Sequence, residues 1–146
     1  ERLQHGERSE KIAAAYALER VNSPQAFPSL IAALKSEDPD LRLVAVKVLG
    51  VKKHPKTLGA LVQMLADLEA GIRVEAARAL SGFTDRRLPG CLAPLLRQEE
   101  QVALAAIETL GELAFSEGEQ PLLAALRDKR SAVRAKAAEM IGRLQL

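Results

Sequence analysis

The chain has 146 residues, and its 21 Lys and Arg residues nearly balance its 19 Asp and Glu residues, which leaves a formal net charge of +2. This charge is too small to indicate a nucleic-acid or membrane partner by itself. Since 48% of the residues are hydrophobic but only 3% are aromatic, the core must be built from Leu, Ala, Val and Ile.

A repeat of about 31 residues runs through the chain. Its register is marked by the apolar residue near the end of each repeat: Leu18, Leu49, Leu80, Leu110 and Ile141. An Ala stands four residues before every mark: Ala14, Ala45, Ala76, Ala106 and Ala137. A fixed period of this length indicates stacked helix pairs, each of which buries its apolar stripe against the next.

The predicted elements begin with one extra helix over about residues 9–20. Four units follow, over about residues 24–50, 55–81, 87–111 and 119–144, each with a first helix, A, and a second helix, B. Apolar residues of the B helices recur at the spacing of one helix face. Pro24 and Pro55 suit the start of an A helix, and Asp38 is suited to cap a B helix. No stretch alternates with period two, so no strand is predicted.

The stretch "SPQAFPSLIAALKSEDPDLRLVAVKVLG" resembles the short HEAT-like repeat named after phycobilisome lyases. The resemblance covers nearly the whole chain. It is specific for the fold but not for function, because units of this family serve lyases, hydroxylases and plain scaffolds. We therefore predict a single all-α domain over residues 1–146, a right-handed α-α superhelix (HEAT-like solenoid) of about nine helices in antiparallel pairs.

A recurring Arg stands seven residues before the mark in three units, as Arg42, Arg73 and Arg134. The resemblance implies that an acid six residues before such an Arg forms a pair along the stack, and Asp67 and Asp128 stand at that position. The unit over 87–111 has Arg97 and Ala103 at these two places and is one residue short. We expect an irregular junction there.

An apolar column stands six residues before the mark, where this family is usually polar: Ile12, Leu43, Val74, Leu104 and Ala135. In HEAT-type stacks the B helices line the concave surface, so this column predicts a groove for a partner helix or peptide, with Ile107 adding to it. The alternative is that curvature buries the column between adjacent B helices.

A second row, two residues before the mark, changes from basic to acidic along the stack: Tyr16, Lys47, Arg78, Glu108 and Glu139. Such a row can orient a partner of opposite charge pattern, although weakly paired charges on a solvated face are the alternative. The predicted partner-binding residues are Ile12, Tyr16, Leu43, Lys47, Val74, Arg78, Leu104, Ile107 and Glu108.

Two basic loops, "KKHPK" at 52–56 and "DRR" at 85–87, follow successive B helices. They raise nucleic-acid backbone binding as a second alternative, with salt-dependent affinity as its test. The chain has no Trp and a single Tyr, so no pocket for stacking a base is visible. The simpler interpretation is that the basic residues of these loops are solvated surface charges.

Catalytic motifs are not recognisable, and we predict no catalytic residue, metal site or cofactor. Hydroxylases built of similar repeats hold iron with His-Glu pairs on B helices, but Val74-Glu75 stands at that place, and neither His5 nor His54 precedes a Glu. Cys91 is better explained as a small buried core residue than as a nucleophile. Family likeness alone leaves a bilin lyase component as the enzyme alternative, with Tyr16, Lys47 and Arg78 facing the bilin propionates.

Location and partners follow from the same features. No apolar run approaches the roughly 20 residues that cross a bilayer, no signal peptide is recognisable, and the lone Cys91 excludes an internal disulfide. We expect a cytoplasmic, non-catalytic scaffold that binds a protein or peptide. Neither end of the stack carries a polar capping repeat, so we also expect self-association or further domains at the ends.

Overall fold

The computed structural model describes residues 2–21 and 23–145, with side chains from residue 6 onward. The described residues form nine α-helices: α1 (Arg2–Ala17), α2 (Ala26–Ala33), α3 (Pro39–Lys52), α4 (Leu58–Gln63), α5 (Ala70–Ala79), α6 (Leu88–Leu92), α7 (Glu100–Leu113), α8 (Glu119–Ala125) and α9 (Ser131–Leu144). Short 3₁₀ turns extend several of them, and the described residues contain no strand. The prediction of an all-α solenoid with about nine helices is confirmed.

The first helix is longer than predicted. It begins at Arg2 rather than near residue 9, and a 3₁₀ turn continues it over Leu18–Arg20. The sequence before residue 9 contains no Pro and is rich in residues that favour helices, so nothing stops the helix there. His5 therefore lies within α1 rather than in a separate terminal segment.

The predicted cap of α3 is confirmed. Asp38 has extended backbone angles, its carboxylate accepts a hydrogen bond of 2.9 Å from the backbone N–H of Asp40, and Pro39 occupies the first helical position. The helix ends at Lys52 and is followed by the C-cap residue Lys53, whose φ of 48° lies in the left-handed region. These two ends set the length of α3 and thereby place its side chains in register with the other B helices.

Two layers build the stack. The B helices are α1, α3, α5, α7 and α9, and each packs against the next, while α2, α4, α6 and α8 form the A layer against them. Between the layers lie the register marks Leu49, Leu80 and Leu110, all buried in one continuous apolar core. The core is therefore shared between neighbouring units rather than enclosed in each.

Adjacent B helices approach closely because small residues face each other. A Cβ added to Gly50 in α3 would lie 2.8 Å from the Cβ of Ala79 in α5. Between α5 and α7, the Thr109 hydroxyl donates a hydrogen bond of 2.9 Å to the Ala77 carbonyl. This tight spacing decides how much of each B helix remains open to solvent.

Ion pairs join successive units on one side of the stack. Arg42 in α3 donates from Nε to Asp67 of the next unit at 2.9 Å, and Arg73 in α5 pairs with Glu99 of the unit after it at 2.8 Å. Asp128 instead pairs with Arg130, two residues on, at 2.9 Å. The Arg–acid series is thus interrupted after α7.

Arg130 compensates for that interruption. Its guanidinium reaches back to the preceding unit and donates hydrogen bonds to the backbone carbonyls of Leu96, at 2.6 Å, and Gln98, at 2.5 Å. The expected irregular junction is therefore present, and the direction of the contact between the units is reversed there.

Candidate protein-interaction surface

We name the B-helix face after three positions of the repeat: six residues before the mark, two before it and two after it. These positions lie four residues apart, so they fall on one side of any helix that contains all three. In two units the third position lies beyond the α-helix, at Arg20 in the 3₁₀ turn after α1 and at Gly82 after α5. The face runs across α1, α3, α5, α7 and α9, which pack side by side. It contains eight of the nine predicted partner-binding residues, Ile107 being the exception.

The side chains of the apolar column, six residues before the mark, are neither all buried nor all exposed. Ile12, Leu43, Val74 and Leu104 are each half-buried and packed against the core, while Ala135 on α9 is exposed. Each of the four larger side chains therefore contributes to the core through one side and remains accessible on the other. Removing any of them would affect stability together with the surface.

Ile107 lies outside the B-helix face. Its side chain is 0% exposed and belongs to the core between adjacent B helices. Helix α7 is apolar on almost every side, so its sequence does not distinguish the buried side from the accessible one. Ile107 is not part of the surface that we describe as available to a partner.

The row two residues before the mark is largely open to solvent. Tyr16 is 46% exposed, and Lys47 and Arg78 are also exposed. The Arg78 guanidinium lies 3.4 Å from the Glu75 carboxylate one turn earlier on α5, whereas no ion pair is recorded for Lys47 among the described residues. Lys47 is therefore an open positive charge at this end of the face.

The opposite end of the face carries a small network of charges. The Lys136 ammonium lies 3.0 Å from the Glu139 carboxylate and 3.5 Å from Glu108, and Arg143 lies 3.1 Å from Glu139. The hydrogen bond to Glu139 raises the pKa of Lys136, and the same bond lowers the pKa of Glu139. Most of the acidic charge predicted for this end is thereby neutralised by its neighbours.

The position two residues after the mark was missed by the sequence analysis. It holds Val51, which is 62% exposed, and Glu112, whose carboxylate accepts a hydrogen bond of 2.6 Å from the Ser81 hydroxyl. Arg20 and Arg143 occupy the same position on the stack and are exposed. The sequence repeat could have revealed this row, because it lies one helical turn beyond the row that contains Lys47 and Arg78.

The basic loops are held by contacts within the chain. Lys52 donates to the Val21 carbonyl at 2.7 Å, and Lys53 donates to the Ser81 carbonyl at the end of the next B helix. Arg86 pairs with Glu117 at 3.2 Å, and Arg87 pairs with Asp85 at 2.6 Å. These four basic side chains thus bind backbone carbonyls and carboxylates of the protein itself, which weakens the nucleic-acid alternative.

The remaining candidates for chemistry are the single thiol and the possible metal ligands. Cys91 is a free, half-buried thiol in α6. Among the described residues, no three His, Cys, Asp or Glu side chains come together as a metal site would require. In the same part of the chain, no helix is both long and apolar enough to cross a membrane.

Comparison with known families agrees with this architecture. A family model described as HEAT repeats matches residues 1–81, 28–100 and 92–146. The matches together reach from one end of the sequence to the other. They identify HEAT repeats in general and do not extend to the phycobilisome lyase type, nor do they support a bilin lyase activity. A search of curated proteins returned no match.

Proposed function

Because the chain belongs to the HEAT-repeat family, we propose that it is a non-catalytic scaffold that binds another protein through its B-helix face. Repeat stacks of this kind present extended surfaces that single-core domains do not offer. The partner is a helix or an extended peptide lying across α1, α3, α5 and α7.

The observation that carries this proposal is the pairing of exposed apolar side chains with open charge. Tyr16 and Val51 are both large, and 46% and 62% of their surfaces are exposed. Leu43 on α3 and Val74 on α5 are half-buried and add accessible apolar area at the position six residues before the mark. Aromatic and apolar side chains rimmed by polar groups are typical of protein-binding surfaces.

The charges on the face favour one orientation of the partner. Within the part of the chain that the structure describes, Lys47 on α3 forms no ion pair, whereas the Glu112 carboxylate on α7 accepts a hydrogen bond from the Ser81 hydroxyl. A partner with an acidic residue against Lys47 and a basic residue against Glu112 would match both ends. Complementary charges of this kind act mainly on orientation and association rate.

The test uses substitutions that the fold tolerates. Val51→Glu places a carboxylate on the B-helix face, and Leu68→Glu places one on a side chain that is 94% exposed, between the A and B helices of its unit and off that face. Wild type, Val51→Glu and Leu68→Glu are used as baits in the same lysate, with circular dichroism on each.

The expected result is a protein that is captured by the wild type and by Leu68→Glu and is lost from the folded Val51→Glu bait. Equal capture by all three baits would contradict the proposal, because binding would then use another surface. Capture of nothing by a folded wild-type bait would also count against it. Leu43 and Leu104 are less suitable positions, since both pack against the core.

A further inference from the structure

The side chains of the B-helix face are almost all aliphatic or charged. None of the residues at its three positions, on any B helix, is Asn or Gln, and Tyr16 is the one aromatic residue among them. The apolar column supplies the half-buried Ile12, Leu43, Val74 and Leu104. The other positions on α3, α5 and α7 hold the exposed Lys47, Val51, Arg78, Gly82 and Glu112 and the half-buried Glu108.

An extended peptide and a helix make different demands on such a face. An extended peptide presents its backbone N–H and C=O groups, and each group that is buried without a partner costs free energy. Side-chain amides can both donate and accept, so they pair with either group. The face has no amide side chain and a single hydroxyl, that of Tyr16. A helix satisfies its own backbone and presents only side chains, so the composition of the face favours a helix.

A proline-rich peptide is the extended form that needs the fewest hydrogen bonds. Such peptides dock in grooves lined by several aromatic side chains. Tyr16 on α1 does not form such a groove, because the other apolar side chains of the face are aliphatic. An aliphatic column half-open to solvent instead matches the apolar stripe of an amphipathic helix.

The open charges of the face lie two B helices apart. In the described part of the chain, Lys47 on α3 forms no ion pair, and the Glu112 carboxylate on α7 accepts a hydrogen bond of 2.6 Å from the Ser81 hydroxyl. On α5, between them, the Arg78 guanidinium lies 3.4 Å from the Glu75 carboxylate. A partner that is acidic near α3 and basic near α7 is therefore complementary to the face.

The packing of the B helices fixes the length that such a partner must have. Neighbouring helix axes lie about 8–10 Å apart, and the close approach of Gly50 to Ala79 keeps α3 and α5 near each other. The two steps from α3 to α7 therefore span about 16–20 Å. A helix rises about 1.5 Å per residue and covers this distance in about 11–13 residues. An extended chain, at about 3.3 Å per residue, covers it in about five or six.

We propose that the segment bound by the B-helix face is an amphipathic α-helix, of which about 11–13 residues reach from α3 to α7. Its apolar stripe lies on the apolar column, an acidic residue lies near Lys47, and a basic residue lies near Glu112. This inference rests on the proposed function, because it specifies what binds to the same face.

The experiment measures the spacing between contact points on the partner. The photo-crosslinking residue p-benzoylphenylalanine replaces Val51 or Glu112, which are both exposed and stand two residues after the mark. The same label at Leu68, which is 94% exposed and off the face, is the control. Each labelled chain is irradiated with the protein that the wild-type chain captures from the lysate, and mass spectrometry locates the linked residue.

A third label makes the measurement independent of any one position. Replacing Tyr16 by p-benzoylphenylalanine keeps an aromatic ring one B helix from Val51 and three from Glu112. A bound helix predicts links about 5–7 residues apart for the first pair and about 16–20 for the second. Any two labels that preserve capture therefore give the rise per residue of the bound segment.

The links from Val51 and Glu112 should fall in one continuous segment of the partner, about 11–13 residues apart, and the label at Leu68 should give no link. A synthetic peptide of that segment should bind the wild-type chain and gain helical circular dichroism. Lys47→Glu should weaken peptide binding roughly fivefold at low salt and less at high salt. Lys35→Glu is the matched control, since Lys35 is exposed and off the face, and it should bind as the wild type does.

Two results would overturn the inference and leave the proposed function standing. Links about five or six residues apart, or a peptide that binds without gaining helix, would show that the partner is extended. Links to two distant parts of the partner sequence would show that a folded surface binds rather than one helix. A folded wild-type chain that captures no protein would instead remove the proposed function, and this inference with it.

Discussion

Gly50 and Ala79 lie closer together than two residues with Cβ atoms allow, since a Cβ on Gly50 would be 2.8 Å from that of Ala79. This contact sets the distance between α3 and α5. The same relation recurs at Gly111, where an added Cβ would meet the side chain of Met140. The spacing of the B helices, and with it the accessible part of the B-helix face, depends on these small residues.

Replacing Gly50 by Ala should destabilise the chain by about 1–3 kcal/mol, because the added methyl group forces the two helices apart. The control is Gly59→Ala in α4, where an added Cβ meets nothing within 4 Å. That change should stabilise by about 0.5–1 kcal/mol through helix propensity. Urea unfolding of both variants measures the difference. Equal effects of the two substitutions would contradict the role given to Gly50.

Thr109→Val should cost about 1 kcal/mol, because it replaces by a methyl group a buried hydroxyl that lies 2.9 Å from the Ala77 carbonyl of the neighbouring helix and 3.0 Å from the Ala105 carbonyl of its own helix. The exposed Thr84 offers a matched control, and Thr84→Val should leave the free energy of unfolding nearly unchanged. Chemical denaturation is again the measurement. A neutral Thr109→Val would mean that the hydrogen bonding of this hydroxyl adds nothing to stability.

Asp67→Asn should destabilise by about 1.5–3 kcal/mol, since it weakens charged hydrogen bonds to Arg42 that are largely shielded from water. The pair of Arg86 and Glu117 is much more exposed, so Glu117→Gln should cost less than about 1 kcal/mol. Thermal and urea unfolding separate the two cases. A larger loss for Glu117→Gln would show that burial does not decide the strength of these pairs.

The stability of the chain should depend on Asp128 at acidic pH. Hydrogen bonds from Arg130 lower the pKa of the Asp128 carboxyl from 3.8 to about 2. Because the folded-state pKa is depressed, the carboxylate favours the folded state fully above the unfolded pKa. That contribution is lost as the pH falls from about 4 to about 2.

The check is to compare wild type with Asp128→Asn across this range. The wild type should be more stable at neutral pH, and the two free energies of unfolding should converge near pH 2. A difference that stays constant from neutral to acidic pH would show that the charge of Asp128 does not stabilise the fold. An NMR titration of the Asp128 carboxyl gives the midpoint directly.

The repeat register was sufficient to predict the fold, because Leu49, Leu80 and Leu110 are apolar for one reason, which is burial between the two layers. It did not predict how far Leu43 is buried, since that depends on the distance between B helices and hence on a contact between units. Nor did it separate Ile107 from Leu104, because α7 is apolar on nearly all sides. The contact of Arg130 with the preceding unit depends on the direction in which its side chain extends, and no local sequence pattern encodes that direction.

Protection of Tyr16 and Val51 in a complex is the most direct measure of whether the B-helix face binds a protein. Hydroxyl-radical footprinting of the chain, alone and with the captured partner, reports on both side chains and on Leu68 and Leu123, which are exposed elsewhere. Binding through the B-helix face predicts that oxidation of Tyr16 and Val51 falls while that of Leu68 and Leu123 is unchanged. Unchanged oxidation of Tyr16 and Val51 in a saturated complex would contradict it.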